Sequence, residues 1–289
     1  KCKKSMVVLV TGSNGQLGQS LQFIASQHPL IEFVFCTSSD LDITNLENCQ
    51  IVFNTFKPDF CINTAAYTAV DKAESESEKA LAINVEGARN LAKTCKMYST
   101  ILLHISTDFV FDGNNNKPYS ETDIPNPTGV YSQTKLDGEI AIQNTWKKHF
   151  IIRTSWVYSQ FGNNFMKTML RLSKERDTIS VVNDQIGTPT NAVDLADVLI
   201  KIVNEHSKLS TEHFGIYNFS NEGSTSWYEF AKEIFKKNNI KIDLKPIATT
   251  EFPTPAKRPK YSVLDKTKIK NIFHIEINNW QDSIPQIEN

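Results

Sequence analysis

The chain has 289 residues, with 31 Lys and Arg against 32 Asp and Glu, for a net charge of −1. This length buries one large α/β core or two smaller ones, and near-neutrality without blocks of like charge gives no reason to expect a nucleic-acid partner. No apolar run reaches membrane-spanning length and no signal-peptide succession follows the short basic tail at residues 1–5.

The five cysteines (Cys2, Cys36, Cys49, Cys61 and Cys95) are odd in number and scattered, with no Cys-x-x-Cys and no zinc-spaced His pair. Reduced structural thiols in a cytoplasmic protein are therefore expected, and no metal site.

The first half alternates strand and helix patterns. Residues 6–10 are a first apolar strand, and 16–26 form a helix with Leu17, Leu21, Ile24 and Ala25 at helical spacing. Residues 32–36 form a second strand, 45–56 a helix stopped by Lys57-Pro58, and 59–63 a third strand. A long helix over about 75–97 carries Leu81, Asn84, Ala88, Leu91 and Cys95 along one face. Residues 100–105 are the fourth strand, a Gly/Asn/Pro-rich loop covers 112–127, a helix follows, and 150–153 is the fifth strand. This alternation predicts an α/β, Rossmann-type doubly wound parallel sheet.

Beyond Arg153 the elements shorten, punctuated by Pro189, Pro246, Pro253, Pro255 and Pro259, as in a smaller lobe. Residues 193–203 still have the pattern of a sheet-covering helix, so the lobes interleave. The expected division is a nucleotide-binding domain over 1–155 and about 185–215, with a substrate-binding lobe over about 156–184 and 216–289.

Between the first strand and helix lies Thr11-Gly12-Ser13-Asn14-Gly15-Gln16-Leu17-Gly18. Glycines there permit a tight bend, let backbone approach a pyrophosphate and pack helix on strand. The free N–H groups of the helix start then face the diphosphate, so Gly12, Asn14, Gly15, Gln16, Leu17 and Gly18 are assigned to cofactor binding. Asn63, Ala65, Ala66 and Tyr67 leave the third strand among small residues over which a cofactor passes. Asp42 and Ile43 border the adenine. Residues 37–40 show neither a clear ribose-binding acid at the strand tip nor an arginine for a 2′-phosphate, leaving NADPH or NADH open.

Thr107 ends the fourth strand, and Tyr131 and Lys135 stand four apart on the next helix, sharing a face. A lysine beside a phenol lowers its pKa and makes it a usable acid, while a threonine hydroxyl orients a carbonyl. The spacing alone is not specific, because Tyr228 and Lys232 repeat it. Tyr131 follows the fourth strand, at the carboxyl edge where an active site belongs; Tyr228, beside Trp227 and Phe230, has the setting of a packing residue. Asp108 is followed by Phe109 rather than an acid, which disfavours sugar dehydration. The loop Pro255-Ala256-Lys257-Arg258-Pro259-Lys260 offers a guanidinium for a diphosphate, and Asn163, Asn164, Lys167 and Arg171 form a second polar, basic stretch.

Taken with residues 69–74, 106–111, 153–158, 162–165, 183–187 and 253–259, these motifs span nearly the whole chain in one order. They resemble the extended short-chain dehydrogenase/reductases, and among them the dTDP-4-dehydrorhamnose reductase family. The resemblance implies NAD(P)H-dependent reduction of the C4 ketone of dTDP-4-dehydro-L-rhamnose for cell-surface polysaccharide. Tyr131 would be the proton donor, Lys135 its tuner and ribose ligand, and Thr107 the orienting hydroxyl. By the same resemblance Val70, Asp108, Phe109 and Trp156 line the sugar pocket, and Asn164 and Arg258 face the diphosphate. Some members are magnesium-linked dimers that use acidic residues. Here Val193 stands where an acid is sought after Thr190-Asn191-Ala192, and Gln16 and Leu17 are not acidic, which argues against a metal bridge and leaves monomer or homodimer open. Two alternatives remain: another nucleotide-sugar 4-ketoreductase or epimerase, and a regulatory subunit resembling the β subunit of methionine adenosyltransferase.

Overall fold

The computed structural model describes residues 5–206 and 213–287. Its first half runs β1 (Met6–Thr11), α1 (Gln16–Ala25), β2 (Ile31–Phe35), α2 (Leu46–Phe56), β3 (Phe60–Asn63), α3 (Val70–Ala73), α4 (Ser77–Leu81), α5 (Ala88–Tyr98), β4 (Ile101–Thr107), α6 (Val130–Thr145) and β5 (His149–Thr154). Then follow β6 (Val157–Tyr158), α7 (Phe165–Glu175), β7 (Thr178–Val182), β8 (Ile186–Gly187), β9 (Thr190–Asn191), α8 (Ala192–His206), β10 (Gly215–Asn218), β11 (Thr225–Ser226), α9 (Trp227–Lys237), β12 (Asp243–Ile247) and α10 (Thr267–Phe273). Cys2 and most of the basic tail lie outside the described residues.

Local chemistry sets the boundaries. Asn45 caps α2 by accepting from the Asn48 amide at 3.0 Å, and Lys57, in the left-handed region at φ 45°, ends it just before Pro58. α6 starts after Gly129, whose amide donates to Ser132 Oγ at 3.0 Å.

Six strands pair in parallel in the order β10-β5-β4-β3-β1-β2, the doubly wound sheet that the alternation predicts. The side chains of the inner strands β1, β3, β4 and β5 are largely buried on both faces, as helices on either side require. α1, α8 and α10 cover one face through Leu17, Leu21, Leu195, Leu199, Ile269 and Phe273. α2, α5 and α6 cover the other through Val52, Phe53, Leu91, Cys95 and Ile142. Cys36, Cys49, Cys61 and Cys95 are free and buried, and burial pushes the Cys36 thiol up to about 11 and that of Cys49 to about 12. Among the described residues no helix is long and apolar enough to cross a membrane.

The structure corrects two sequence expectations. The long helix is α4 and α5 joined by a π-helical stretch, Ala82–Gly87. The wider turn rotates what precedes it, so Leu81 is exposed while Asn84, Ala88, Leu91 and Cys95 face inward. The second correction concerns β10, read as part of the smaller lobe: it pairs with β5 from Gly215↔Phe150 to Asn218↔Arg153 and completes the main sheet. Its sequence, Gly-Ile-Tyr-Asn, has only two apolar residues between a glycine and an asparagine, a weak strand signature.

The smaller lobe packs α7 against α9 around Tyr158, Met166, Phe230, Ile234 and Trp280, with β7 and β12 paired alongside. The strand order reverses between β1 and β3, so a crevice opens at their carboxyl ends. That crevice lies beside β4 and the start of α6.

Candidate active site

The turn after β1 is built for close approach. Gly12 has φ +62°, and a Cβ there would lie 2.7 Å from the amide nitrogen of Ala65, two residues past the end of β3. A Cβ on Gly18 would meet the Cα of Ser13 at 2.5 Å. Gly15 caps α1 without a side-chain acceptor, leaving the first N–H groups of the helix for an anion. The turn therefore fits a dinucleotide diphosphate.

Around it, Asn63 is internal: its Oδ1 accepts from Thr11 Oγ1 at 2.6 Å and its Nδ2 meets His104 Nδ1 at 2.9 Å. Ala65 and Ala66 are half-buried, keeping the β3 exit low. Tyr67 is buried, with its hydroxyl on Glu76 at 2.8 Å. Asp42 is exposed and accepts from Thr44 N and Oγ1, while Ile43 is buried against Gly87. The Gln16 side chain turns to the smaller lobe, donating to Val157 O at 3.1 Å and accepting from Asn164 Nδ2 at 3.3 Å.

β4 is two residues longer than expected and carries Thr107 to its end, paired in register with Thr154. Thr107 Oγ1 donates to Asp108 Oδ1 at 3.1 Å and accepts from the Phe109 amide. Across the crevice, the Phe109 ring meets Tyr131 edge-on at 5.9 Å. Burial pushes the Tyr131 phenol up to about 12, against the pull of Thr107 and with a small push from the Asp108 charge. Asp108 is itself shut from water, its Oδ2 without a hydrogen-bond partner, and burial raises its carboxyl to about 7.

These values reverse an expectation from sequence. Lys135 does not pull the phenol toward neutrality: its Nζ donates to Ile105 O at 2.6 Å, and burial lowers it to about 8. Desolvation is the largest influence on both groups. A phenol that stays protonated is nevertheless the form that an acid needs.

The smaller lobe contributes Trp156, held at φ 48°, a left-handed conformation costly for an aromatic residue, and stacked on Trp227 with centroids 3.6 Å apart. Val70 opens α3 on the opposite side, half-buried. Arg258 reaches across to α3, forking onto Asp71 at 2.9 and 2.7 Å, and Ala256 N adds a bond to the same carboxylate. The Arg258 guanidinium beside Asp71 holds that carboxyl below its usual range. Asn164 caps α7, accepting from Lys167 N, and its amide is spent on Ser159 O, Phe161 O and Gln16. In this state Asn164 shapes the lobe junction rather than presenting a free donor. Arg171 pairs with Glu175 on the surface. Tyr228 packs beside Met169 and Phe235, and its spacing partner Lys232 is exposed beside Glu229.

Three contributors escaped the sequence. Asp71 lies within the 69–74 motif, but its partner is 187 residues away. Asn84, in the π-helical stretch, bonds both backbone groups of Tyr67 and the Thr134 hydroxyl, tying the β3 loop to α6. Glu139, four after Lys135, pairs with Arg153 in the interior. A polar residue on the apolar face of a helix was the available signal for Asn84 and Glu139.

The chain matches the profile of the RmlD substrate binding domain over residues 6–289. It is 42% identical over 287 residues to the dTDP-4-dehydrorhamnose reductase of Aggregatibacter actinomycetemcomitans, covering 97% of each chain. It is 40% identical to the enzyme of that name from Escherichia coli K12, covering 98% of this chain and 97% of the other. A crystal structure of dTDP-4-dehydrorhamnose reductase from Bacillus anthracis in complex with NADP superposes with a TM-score of 0.91 at 41% identity, covering 97% of each chain. With the glycine turn, the Thr107–Tyr131 face and Lys135 in one crevice, this chain belongs to the RmlD family, the family of the dTDP-4-dehydrorhamnose reductases.

Proposed function

We propose that the protein is an NAD(P)H-dependent oxidoreductase that reduces the C4 ketone of dTDP-4-dehydro-L-rhamnose to dTDP-L-rhamnose, serving cell-surface polysaccharide synthesis in the cytoplasm. The observation that carries this is the placement of a protonated phenol, Tyr131, beside the strand end that bears the Thr107 hydroxyl, at the mouth of a dinucleotide turn. Bound NADPH or NADH supplies the hydride. Thr107 orients the ketone oxygen, and Tyr131 delivers its proton to the oxygen that becomes the C4 hydroxyl. Lys135, charged below about pH 8, supports the phenolate left behind and binds the nicotinamide ribose.

Gly12, Asn14, Gly15, Gln16, Leu17 and Gly18 carry the diphosphate, Asp42 and Ile43 the adenine end, and Asn63, Ala65, Ala66 and Tyr67 the crevice floor. Val70, Asp108, Phe109 and Trp156 enclose the sugar, and Arg258 meets the nucleotide diphosphate, joined by Asn164 once its amide gives up its bonds at the lobe junction. Asp71 then holds the Arg258 fork in place for it. The 1–155 and 185–215 segments, with the β10 edge added, serve the cofactor, and the remainder serves the substrate. The protein works as a monomer or homodimer without a bridging metal.

The test is nicotinamide absorbance with enzymatically generated dTDP-4-dehydrorhamnose, NADH and NADPH in parallel, and Tyr131→Phe beside wild type. Loss of absorbance that needs sugar and protein, with dTDP-rhamnose as product, supports the assignment; none, from folded cofactor-bound protein, removes it. Tyr131→Phe keeps cofactor binding and loses roughly 100-fold or more in kcat.

A further inference from the structure

Beneath the reacting groups lies a buried ion pair that the reaction does not use. Arg153 on β5 donates through Nε at 3.0 Å and Nη2 at 2.7 Å to the two oxygens of Glu139 on α6. Their side chains are 2% and 1% exposed. Glu139 Oε1 also accepts from the Ser106 hydroxyl on β4. One carboxylate therefore joins three elements, each of them next to the chemistry. Ser106 precedes Thr107 and is in register with Arg153, while Glu139 stands one helical turn after Lys135.

Stability is a weak reason for such a pair. Dehydrating two charges costs several kcal/mol per ion, and apolar replacements are often as stable. Here the cost is raised further, since Arg153 Nη1 is buried without a partner. What the arrangement does supply is a fixed negative charge and a fixed distance between β4 and α6.

We infer that Glu139 is a positioning residue of the reductase site, which clamps the Thr107 end of β4 to α6 and holds a carboxylate one helical turn from Lys135. The inference rests on Thr107, Tyr131 and Lys135 being the reacting groups. Several groups bear on Lys135. Glu139 and Tyr131 lie on its own helix, the Ile105 carbonyl and His104 on β4, and Asp108 just past that strand. Arg153 on β5 is occupied by Glu139. His104 is held neutral by burial, with the Lys135 charge adding to the effect. Burial acts against the ammonium, and Glu139 is the charge that opposes it.

The experiment follows kcat/KM against pH for wild type, Glu139→Gln, Glu139→Asp and the double variant Glu139→Gln/Arg153→Met, with NADPH and dTDP-4-dehydrorhamnose. NADPH binding is measured in parallel by tryptophan quenching. Removing the charge moves the alkaline limb down by about one pH unit and weakens NADPH binding over the same interval. Glu139→Asp keeps the limb near its wild-type position and lowers kcat, because the shorter arm loosens the clamp. The double variant removes both buried charges and so survives if the single one does not fold; its limb moves down by less than that of Glu139→Gln, because loss of the Arg153 cation favours the Lys135 ammonium. A limb unmoved in the charge-removing variants that fold, with NADPH binding unchanged, overturns the inference. Absence of turnover in wild type overturns instead the reaction assigned above.

Discussion

Asp108 gives the sharpest quantitative handle on the site. Its carboxyl rises from 3.8 to about 7 in the folded protein, with burial as the main cause. A carboxyl raised on folding stabilises fully below the unfolded value, and that stability is lost as pH rises through the folded value. The ionisation penalty is about 1.5 kcal/mol at pH 5 and about 4 kcal/mol at pH 8.5, from 1.36 kcal/mol per pH unit. Asp108→Asn keeps the shape and removes the titration. Relative to wild type, the variant should therefore gain about 2.5 kcal/mol between those two pH values. Urea unfolding of both proteins at each pH, followed by circular dichroism, measures the difference directly. Parallel pH dependences in the two proteins would mean that Asp108 titrates as an ordinary carboxylate, and the reasoning that its burial raises it would fail.

Other perturbations probe the remaining parts. Gly18→Ala places a Cβ 2.5 Å from the Ser13 backbone, so the turn must shift; NADPH binding by fluorescence should weaken by roughly 10-fold or more. Arg258→Lys replaces a two-bond fork on Asp71 by a point charge, and the KM for the dTDP-sugar should rise by roughly 10-fold, with a smaller change in kcat. Tyr228→Phe, in the packed face of α9, should leave turnover nearly unchanged; collapse of activity in folded protein would move the site into the smaller lobe.

Much of the protein follows from short-range rules. The alternation of apolar strand and amphipathic helix, the Gly12-to-Gly18 turn and the one-turn spacing of Tyr131 and Lys135 depend on neighbours along the chain. Backbone hydrogen bonding and side-chain periodicity act over those distances, and the parallel sheet follows from them. The position of Tyr131 after the fourth strand already separated it from Tyr228.

Tertiary structure decided what depends on distant partners and on exclusion of water. Asp71 meets Arg258 across 187 residues, and Glu139 meets both Arg153 and Ser106 through the closing of β4, β5 and α6. Asn164 is drawn into a cap and the lobe junction, which its polar neighbours in sequence do not reveal. The π-helical turn that exposes Leu81 and buries Asn84 inserts no recognisable motif. The Tyr131 phenol illustrates the general cause: sequence spacing places a lysine one turn away, whereas desolvation, a property of the assembled crevice, raises the phenol's pKa. Spacing is encoded locally, but the dielectric around a group is set by every element that closes over it.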